Sequence, residues 1–419
     1  MKVKKRHFRE LERDVIKRGL CARCGTCAGV CPLDSIDCFD YGKPPLYDRG
    51  LDPVLVGKCN SCGLCYEACP GERVPLPAID EMLFGRRRDT RHEPLGIFKE
   101  CLAAHAVDET IRAAGASGGV GTALLTYALR EGLIDGSIVS IQHPEFPWRA
   151  GSMVAVTEEE MLSGASSHYQ ASPQLALIPE AIKRGLKSIA LTCDVTHTHG
   201  FRKMQMLGLK RAGIVKFTLG LFCGSSCAHD FTYFDHYLTE LFGIDKIEDI
   251  VHYNYRGGKP PKHRIAVLRD GSRLEAGSWQ GSFVLNQAYR RDKSLMVYDY
   301  GNEVADIALG ECVEPWMKKG APGWSTILTR TAIGEQVVKG AIEKGYIFAR
   351  PTAPERVAAF ISCTAKKHGM NHAIKWKREH GWPAPDFGYP LDNEELEPWP
   401  AQFSMWRWDP RVAGDFGVK

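Results

Sequence analysis

Apolar residues first recur at helical spacing near the start of the chain. Phe8, Leu11 and Val15 fall on one face at i, i+3 and i+7 and predict a helix over roughly the first 20 residues. Periodicity then lapses to about residue 78, and the charged connector GRRRDTRHEP leads into alternating strand-like and helix-like segments, the signature of a mixed α/β domain. In that region Val120, Leu124, Tyr127 and Ala128 form the stripe of a helix that Gly132 ends. Ser137 to Ile141 reads as a buried strand. Ser172 and Pro173 open a second helix with Leu175, Ile178 and Ile182 facing inward. A strand over Ser188 to Thr192 runs into a His- and Thr-rich stretch, Cys193 to Gly200, read as a loop. Val215 to Cys223 follows as a strand, Asp230 to Phe242 as a helix, and Arg264 to Glu275 as a hairpin around Asp270 and Gly271. Ala305 to Leu309 and Trp324 to Arg330 complete the strands, and Gly334 to Gly345 is a helix. From Trp382 onward Pro383, Pro385, Pro390, Pro398, Pro400 and Pro410 alternate with Trp399, Trp406 and Trp408. Prolines bar regular structure there, and tryptophans argue against free disorder, so the tail is expected to wrap along the body or a partner.

These textures divide the 419 residues into three units: 1–80, 81–350, and a C-terminal helix with its Trp/Pro tail over 351–419. A net charge of +4 gives no argument for nucleic acid. The opening MKVKKRHFRELERDVIKRG lacks the apolar core of a secretory signal, and the longest apolar run, Ile214 to Cys223, is short and carries Lys216, so no membrane span is expected. Basic residues gather in the first 18 positions and at Arg86, Arg87, Arg88 and Arg91. Such runs are solvated faces or docking sites for an acidic electron-transfer partner or an anionic coenzyme.

The cysteines change the picture. Cys21, Cys24, Cys27 and Cys31 precede Pro32, and Cys59, Cys62, Cys65 and Cys69 precede Pro70; both runs read C-x2-C-x2-C-x3-C-P. This is the ligand pattern of a two-cluster bacterial ferredoxin, in which three thiolates of one run hold a [4Fe-4S] cube and the fourth crosses to the other. Cys21, Cys24, Cys27 and Cys69 are therefore assigned to one cluster, and Cys59, Cys62, Cys65 and Cys31 to the second. Zinc is the rival for C-x2-C pairs, but zinc sites do not call for two tandem runs of four with proline after each. With eight of fifteen cysteines so used, a reducing cytoplasm fits better than a disulfide scaffold.

Single electrons need a second station, and the turn Gly115 to Gly121 is the best cradle for one. Glycines admit close approach, Ser117 is placed to cap the helix, and a helix N-terminus favours phosphate. A tight N-terminal turn has the same spelling, and spacing alone does not separate the two.

The segments GASGGVGTALLTYALREGLIDG and SSHYQASPQLALIPEAI, the Cys193 stretch, LGLFCG, VADIALGE and GWSTILTRT occur in that order. The chain resembles the β-subunit family of coenzyme F420-reducing hydrogenases and dehydrogenases, from about residue 18 to 345. The resemblance implies a ferredoxin-like N-terminus ahead of a mixed α/β domain that binds FAD and passes hydride between the flavin and a deazaflavin such as F420. It implies Ser117, Gly118, Gly119 and Thr122 at the flavin's phosphate side, with Tyr169, Ser172, Thr192, Cys193 and Thr196 lining its other contacts. Tyr169 reads equally as a half-buried core aromatic, and Ser172 as an ordinary N-cap. Where F420-reducing members carry C-x-x-C-x-D for a further cluster, this chain has Ser294, Val297 and Asp299. A rebuilt third cluster would have to draw on Cys193, Cys223, Cys227 or Cys312; buried unligated thiols are the alternative. His197 and His199, following a strand, are the candidate catalytic residues. The expected activity is an iron–sulfur flavoprotein oxidoreductase. Two others stand beside it: a ferredoxin-dependent flavin reductase of an organic substrate, and a wiring subunit tying a hydrogenase, dehydrogenase or reductase to its acceptor. Each implies a redox partner protein and a small hydride donor or acceptor.

Overall fold

The computed structural model describes residues 6–39, 52–222, 231–259, 262–277, 292–318, 320–361 and 363–391. Its centre is an eight-stranded mixed sheet. The strands are β3 (Glu100–Ala106), β4 (Gly136–Gln142), β5 (Ala150–Ala155), β6 (Ile189–Cys193), β7 (Val215–Leu221), β11 (Ile307–Cys312), β12 (Trp324–Thr329) and β13 (Ile347–Pro351), in the order β13-β3-β12-β11-β7-β6-β4-β5. β3, β4, β6, β7 and β11 point one way; β5, β12 and β13 run against them. A short pair, β1 (Ile36–Asp37) with β2 (Val54–Leu55), belongs to the N-terminal module. Three further strands, β8 (Ile250–Gly257), β9 (His263–Leu268) and β10 (Arg273–Gly277), form a separate antiparallel sheet that turns at Gly271 as expected.

Successive strand residues face opposite layers. Val139, Ala155, Ala190 and Phe217 pack under the helices Val120–Arg130 and Ala332–Glu343, with Val120, Leu124, Tyr127, Ala128, Val337 and Val338. Ile138, Val154, Ile189 and Leu191 face the other way, toward the helix Val195–Met206 and its buried Phe201 and Met204. On that second layer the N-terminal module docks directly. Leu11, Val15, Cys27, Tyr66 and Ile79 share one apolar core with Leu175, Ile178, Phe201 and Ile374. At about 1.5–3 kcal/mol for each large side chain taken from water, this shared core fixes the module on the sheet.

Several expectations are corrected. Cys193 to Gly200 is not a loop: Asp194 caps a helix, its Oδ1 accepting from His197 N at 2.9 Å and from Thr196 Oγ1 at 2.8 Å. Ser117 does not cap the Val120–Arg130 helix; Gly119 does, in a left-handed conformation (φ +72°). Ser172 does not cap either. Its hydroxyl donates to Gly151 O at 2.9 Å, and the segment after Pro173 is a 3-10 turn, Gln174–Leu177, before the short helix Ile178–Lys183. Leu175, Ile178 and Ala181 carry the inward face of that segment, leaving Ile182 exposed. Of the tail, residues 382–391 do wrap along the body. Val74 N donates to Asp386 O at 2.8 Å, Asp386 N to Glu72 O at 2.7 Å, and Tyr389 hydroxyl to Asp80 at 2.6 Å. Trp399, Trp406 and Trp408 lie outside the described residues.

Candidate functional site

Each cysteine run folds the same way. Its second cysteine is followed by a glycine in the left-handed region, Gly25 at φ +81° and Gly63 at +86°, which starts a single helical turn, Thr26–Gly29 or Leu64–Ala68. Two residues after the first cysteine, Arg23 and Ser61 adopt φ of 58° and 56°, a conformation that side chains rarely take and that turns the backbone N–H onto sulfur. Arg23 N donates to Cys21 Sγ and Ser61 N to Cys59 Sγ, both at 3.4 Å. Ser35 N serves Cys31 at 3.4 Å and Gly71 N serves Cys69 at 3.3 Å. Such donors stabilise thiolate and raise cluster potential.

The eight thiols sort into two cavities of about 330 Å³ of open space each. One is lined by Cys21, Cys24, Cys27 and Cys69; the other by Cys31, Cys59, Cys62 and Cys65. Three cysteines of one run and the last of the other meet in each. The sulfurs stand around a volume: among the described residues no three His, Cys, Asp or Glu side chains converge tightly enough for a single ion. Burial first, and neighbouring thiolates next, push Cys65 up to about 12 and raise Cys24, while burial carries Cys69 to about 11 against the opposing charge of Lys203. Cys27 is raised most by its hydrogen bond with Cys38, then by burial. Bound iron would supply the positive charge that reverses this and ionises the ligands.

The cavities differ in position. The second faces outward, with Cys59 exposed beside exposed Leu55, Val56 and Lys58. The first is interior. A Cβ on Gly25 would stand 2.6 Å from both Pro173 O and Ala176 N, so the loop lies directly on the Ser172 segment, and Leu175 N donates to Cys24 O at 3.2 Å. Next to Leu175, Gln174 Nε2 donates to Thr192 Oγ1 at 3.0 Å, at the C-terminal end of β6. A short bonded path therefore joins the inner cavity to the edge where the parallel strands end.

That edge is where open α/β sheets place ligands. The glycine turn sits on it: Ala106 N donates to Gly118 O at 2.7 Å and Gly118 N to Ser325 Oγ at 3.1 Å. Gly119 is required for packing as well as for its φ, because a Cβ would meet Ile111 O at 2.6 Å. Ser117 and Thr122 are half-buried on this edge. Ser325 is paired with Glu311, Glu311 accepts from Arg256 Nη2 at 2.9 Å, and Arg256 bonds Tyr169, so Tyr169 and the turn flank the same strand ends. Arg112, Arg256 and Lys262 gather there; Lys262 Nζ donates to Ala113 O at 2.7 Å and is lowered by burial and then by Arg256. The buried Nε atoms of Arg112 and Arg256 have no hydrogen-bond partner among the described residues, the donor set that a pyrophosphate fits. These three cations escape sequence reading because they come from separate segments with no common spacing.

The remaining candidates are occupied otherwise. His197 Nδ1 lies 2.7 Å from Asp194 and its Nε2 2.6 Å from Ser172 O. Burial opposes both charges, yet the pair with its hydrogen bonds holds Asp194 down at about 2 and His197 above the ordinary imidazole value. His199, 1% exposed, turns away to Asp299 at 3.2 Å. Asp299 also accepts from Glu303 N. Ser294 and Val297 are buried beside it in sequence. Thr196 is spent on Asp194, and Cys193 is buried with its Sγ donating to Leu191 O at 3.3 Å. Cys193 pairs with Gly220, which pairs with Ala308, so Cys312 is two strands and four residues away, on the order of 16 Å, too far to share a cluster with Cys193. Cys223 and Cys227 lie outside the described residues.

Residues 101–179 match the family described as coenzyme F420 hydrogenase/dehydrogenase, beta subunit N-term, and residues 186–355 its C terminus; residues 13–70 match a 4Fe-4S dicluster domain. Coenzyme F420 hydrogenase subunit beta of Methanosarcina barkeri is 30% identical over 264 residues, 61% of this chain and 83% of that protein. The chain belongs to the coenzyme F420 hydrogenase/dehydrogenase β-subunit family. It is an iron–sulfur member of the oxidoreductase type. The corresponding subunit of Methanothermobacter thermautotrophicus is 27% identical, matched over 70% of this chain and 99% of its own length. A coenzyme F420-dependent sulfite reductase of Methanocaldococcus jannaschii is 30% identical over 79% of this chain, a match that spans 47% of that longer protein. In fold, the chain resembles a chain of the F420-reducing [NiFe] hydrogenase complex of M. barkeri, with a TM-score of 0.55 over 70% of this chain and 97% of the other, at 23% identity. No helix among the described residues is long and apolar enough to cross a membrane.

Proposed function

We propose that this protein is an electron-transfer flavoprotein subunit with two [4Fe-4S] clusters and one FAD, exchanging hydride with coenzyme F420 or a similar deazaflavin. When bound, the clusters supply single-electron exchange and the flavin couples it to two-electron hydride transfer. The observation that carries this reading is the pairing of an outward and an inward four-thiol cavity, with the inner one bonded through Cys24 and Leu175 to the segment that reaches Thr192 at the sheet edge.

The chain's own residues supply binding and placement. Ser117, Gly118, Gly119 and Thr122, with Arg112, Arg256 and Lys262, form the phosphate side. Tyr169, held by Arg256, and Thr192, held by Gln174, flank the ring side. Asp194 and His197 clasp the end of β6 to Ser172 O and so fix the geometry between the inner cavity and this edge. On this reading 1–80 is the cluster module, 81–350 the flavin-binding body and 351–419 a C-terminal strap. The exposed rim of Leu55, Val56 and Lys58 around Cys59 is where a partner redox subunit delivers or collects electrons in a reducing cytoplasm.

Anaerobically purified full-length protein should contain roughly eight irons and one flavin per chain. Stoichiometric zinc, or iron-replete protein that takes up no flavin, would overturn the assignment.

A further inference from the structure

Lys293 lies in the 3-10 turn Asp292–Leu295, 1% exposed, with its ammonium 4.7 Å from the centre of the Phe387 ring. Its Nζ has no hydrogen-bond partner among the described residues. Burial draws its pKa down to about 7, and Lys203 acts in the same direction; the influences that favour its charge are the thiols of Cys69 and Cys24. Cys69 in turn is lowered by Lys203 and Lys293 against the effect of burial. A buried ammonium without an acceptor is unfavourable unless it faces negative charge. Geometry places the inner cluster site there: a Cβ on Gly19, two residues before Cys21, would stand 3.9 Å from Asp292 Cβ, and Phe387 shares one apolar core with Cys21 and Cys27, against which Cys69 packs. The C-terminal segment seals Lys293 on this side, since Phe387 is 2% exposed and its carbonyl accepts from Leu76 N at 3.2 Å.

We propose that Lys293 tunes the inner iron–sulfur site, its positive charge favouring the more negative, reduced state of the cluster held by Cys21, Cys24, Cys27 and Cys69. This rests on the two-cluster reading. In low dielectric, one nearby cation acts strongly on a site whose charge changes by one electron, and much less on the outer site, whose thiols do not figure among its influences. The inner potential is then higher than it would be without Lys293, which favours retention of an electron arriving from the outer cluster, with no bond made or broken.

The test is an EPR-monitored redox titration at constant pH on anaerobic full-length protein, comparing wild type with K293M and K293R after iron assay of each. A C59S variant, by perturbing the outer site, identifies which signal is which. Iron-replete K293M should show the inner midpoint moved to lower potential with the outer unchanged, and K293R should keep the inner midpoint near wild type. An unmoved inner midpoint, or equal shifts at both sites, overturns the proposal. Should K293M bind too little iron, K293Q takes its place under the same criteria. Failure of the two-cluster reading is distinguishable, because it appears in the iron content and spectrum of the wild type before any variant is compared.

Discussion

Single side chains at the sheet edge carry opposite burdens. Arg256 spends one nitrogen on Glu311 and keeps a buried Nε–H without an acceptor. A charge-assisted bond to phosphate is worth about 1.5–3 kcal/mol, so R256M should weaken flavin binding by roughly 10- to 100-fold while leaving iron content unchanged. Equilibrium dialysis of apo-flavin protein against FAD reads this directly, and unchanged affinity would remove Arg256 from the site. His197 and Asp194 serve stability instead. Asp194, held at about 2, contributes at pH above the ordinary carboxylate value near 3.9, and the contribution is lost as pH falls toward 2. His197, raised, contributes fully below the ordinary imidazole value near 6.5 and loses it as pH rises through its folded value. The penalty of H197Q in anaerobic denaturant unfolding should therefore reach about 3 kcal/mol between roughly pH 4 and 6.5 and shrink on either side. A penalty flat with pH would show that the pair carries no net charge coupling.

At the scale of elements, the cluster loop is fitted to the body through Gly25. G25A forces alanine into a left-handed conformation costing about 1–2 kcal/mol, and its Cβ overlaps Pro173 O and Ala176 N. Iron loss to a chelator should accelerate at the inner site and not at the outer; equal loss at both would mean that this contact does not hold the module. The cysteine exchange was legible because ligand chemistry fixes it: a run with its fourth cysteine set four residues beyond the third sends that thiol to the neighbouring site. Central strands β4, β6, β7 and β12 were legible from apolar runs. Strand β3, ECLAAHA, was not, since alanine has little strand preference and is there because the glycine turn needs close backbone packing. The Val195–Met206 helix was missed because Val195, Thr196, Thr198 and Gly200 are poor helix formers; Asp194 three residues before His197 was the overlooked cap signal. Ser172 was legible as a boundary but not in its bonding, which depends on Gly151 from a distant strand.

The whole molecule is layered. The solvent-facing cavity, the interior cavity, the Ser172 segment and the strand ends follow one another, with the 382–391 segment strapped over the N-terminal module. The central claim is that the clusters and a flavin share electrons within one chain. Anaerobic titration of the oxidised, fully loaded protein with reduced F420, following flavin and iron–sulfur absorbance together, tests it most directly. The arrangement predicts bleaching of both chromophores and uptake of about four electrons per chain, two by the flavin and one by each cluster. Flavin reduction that stops at two electrons with the clusters still oxidised, or no uptake from any deazaflavin donor, would contradict it.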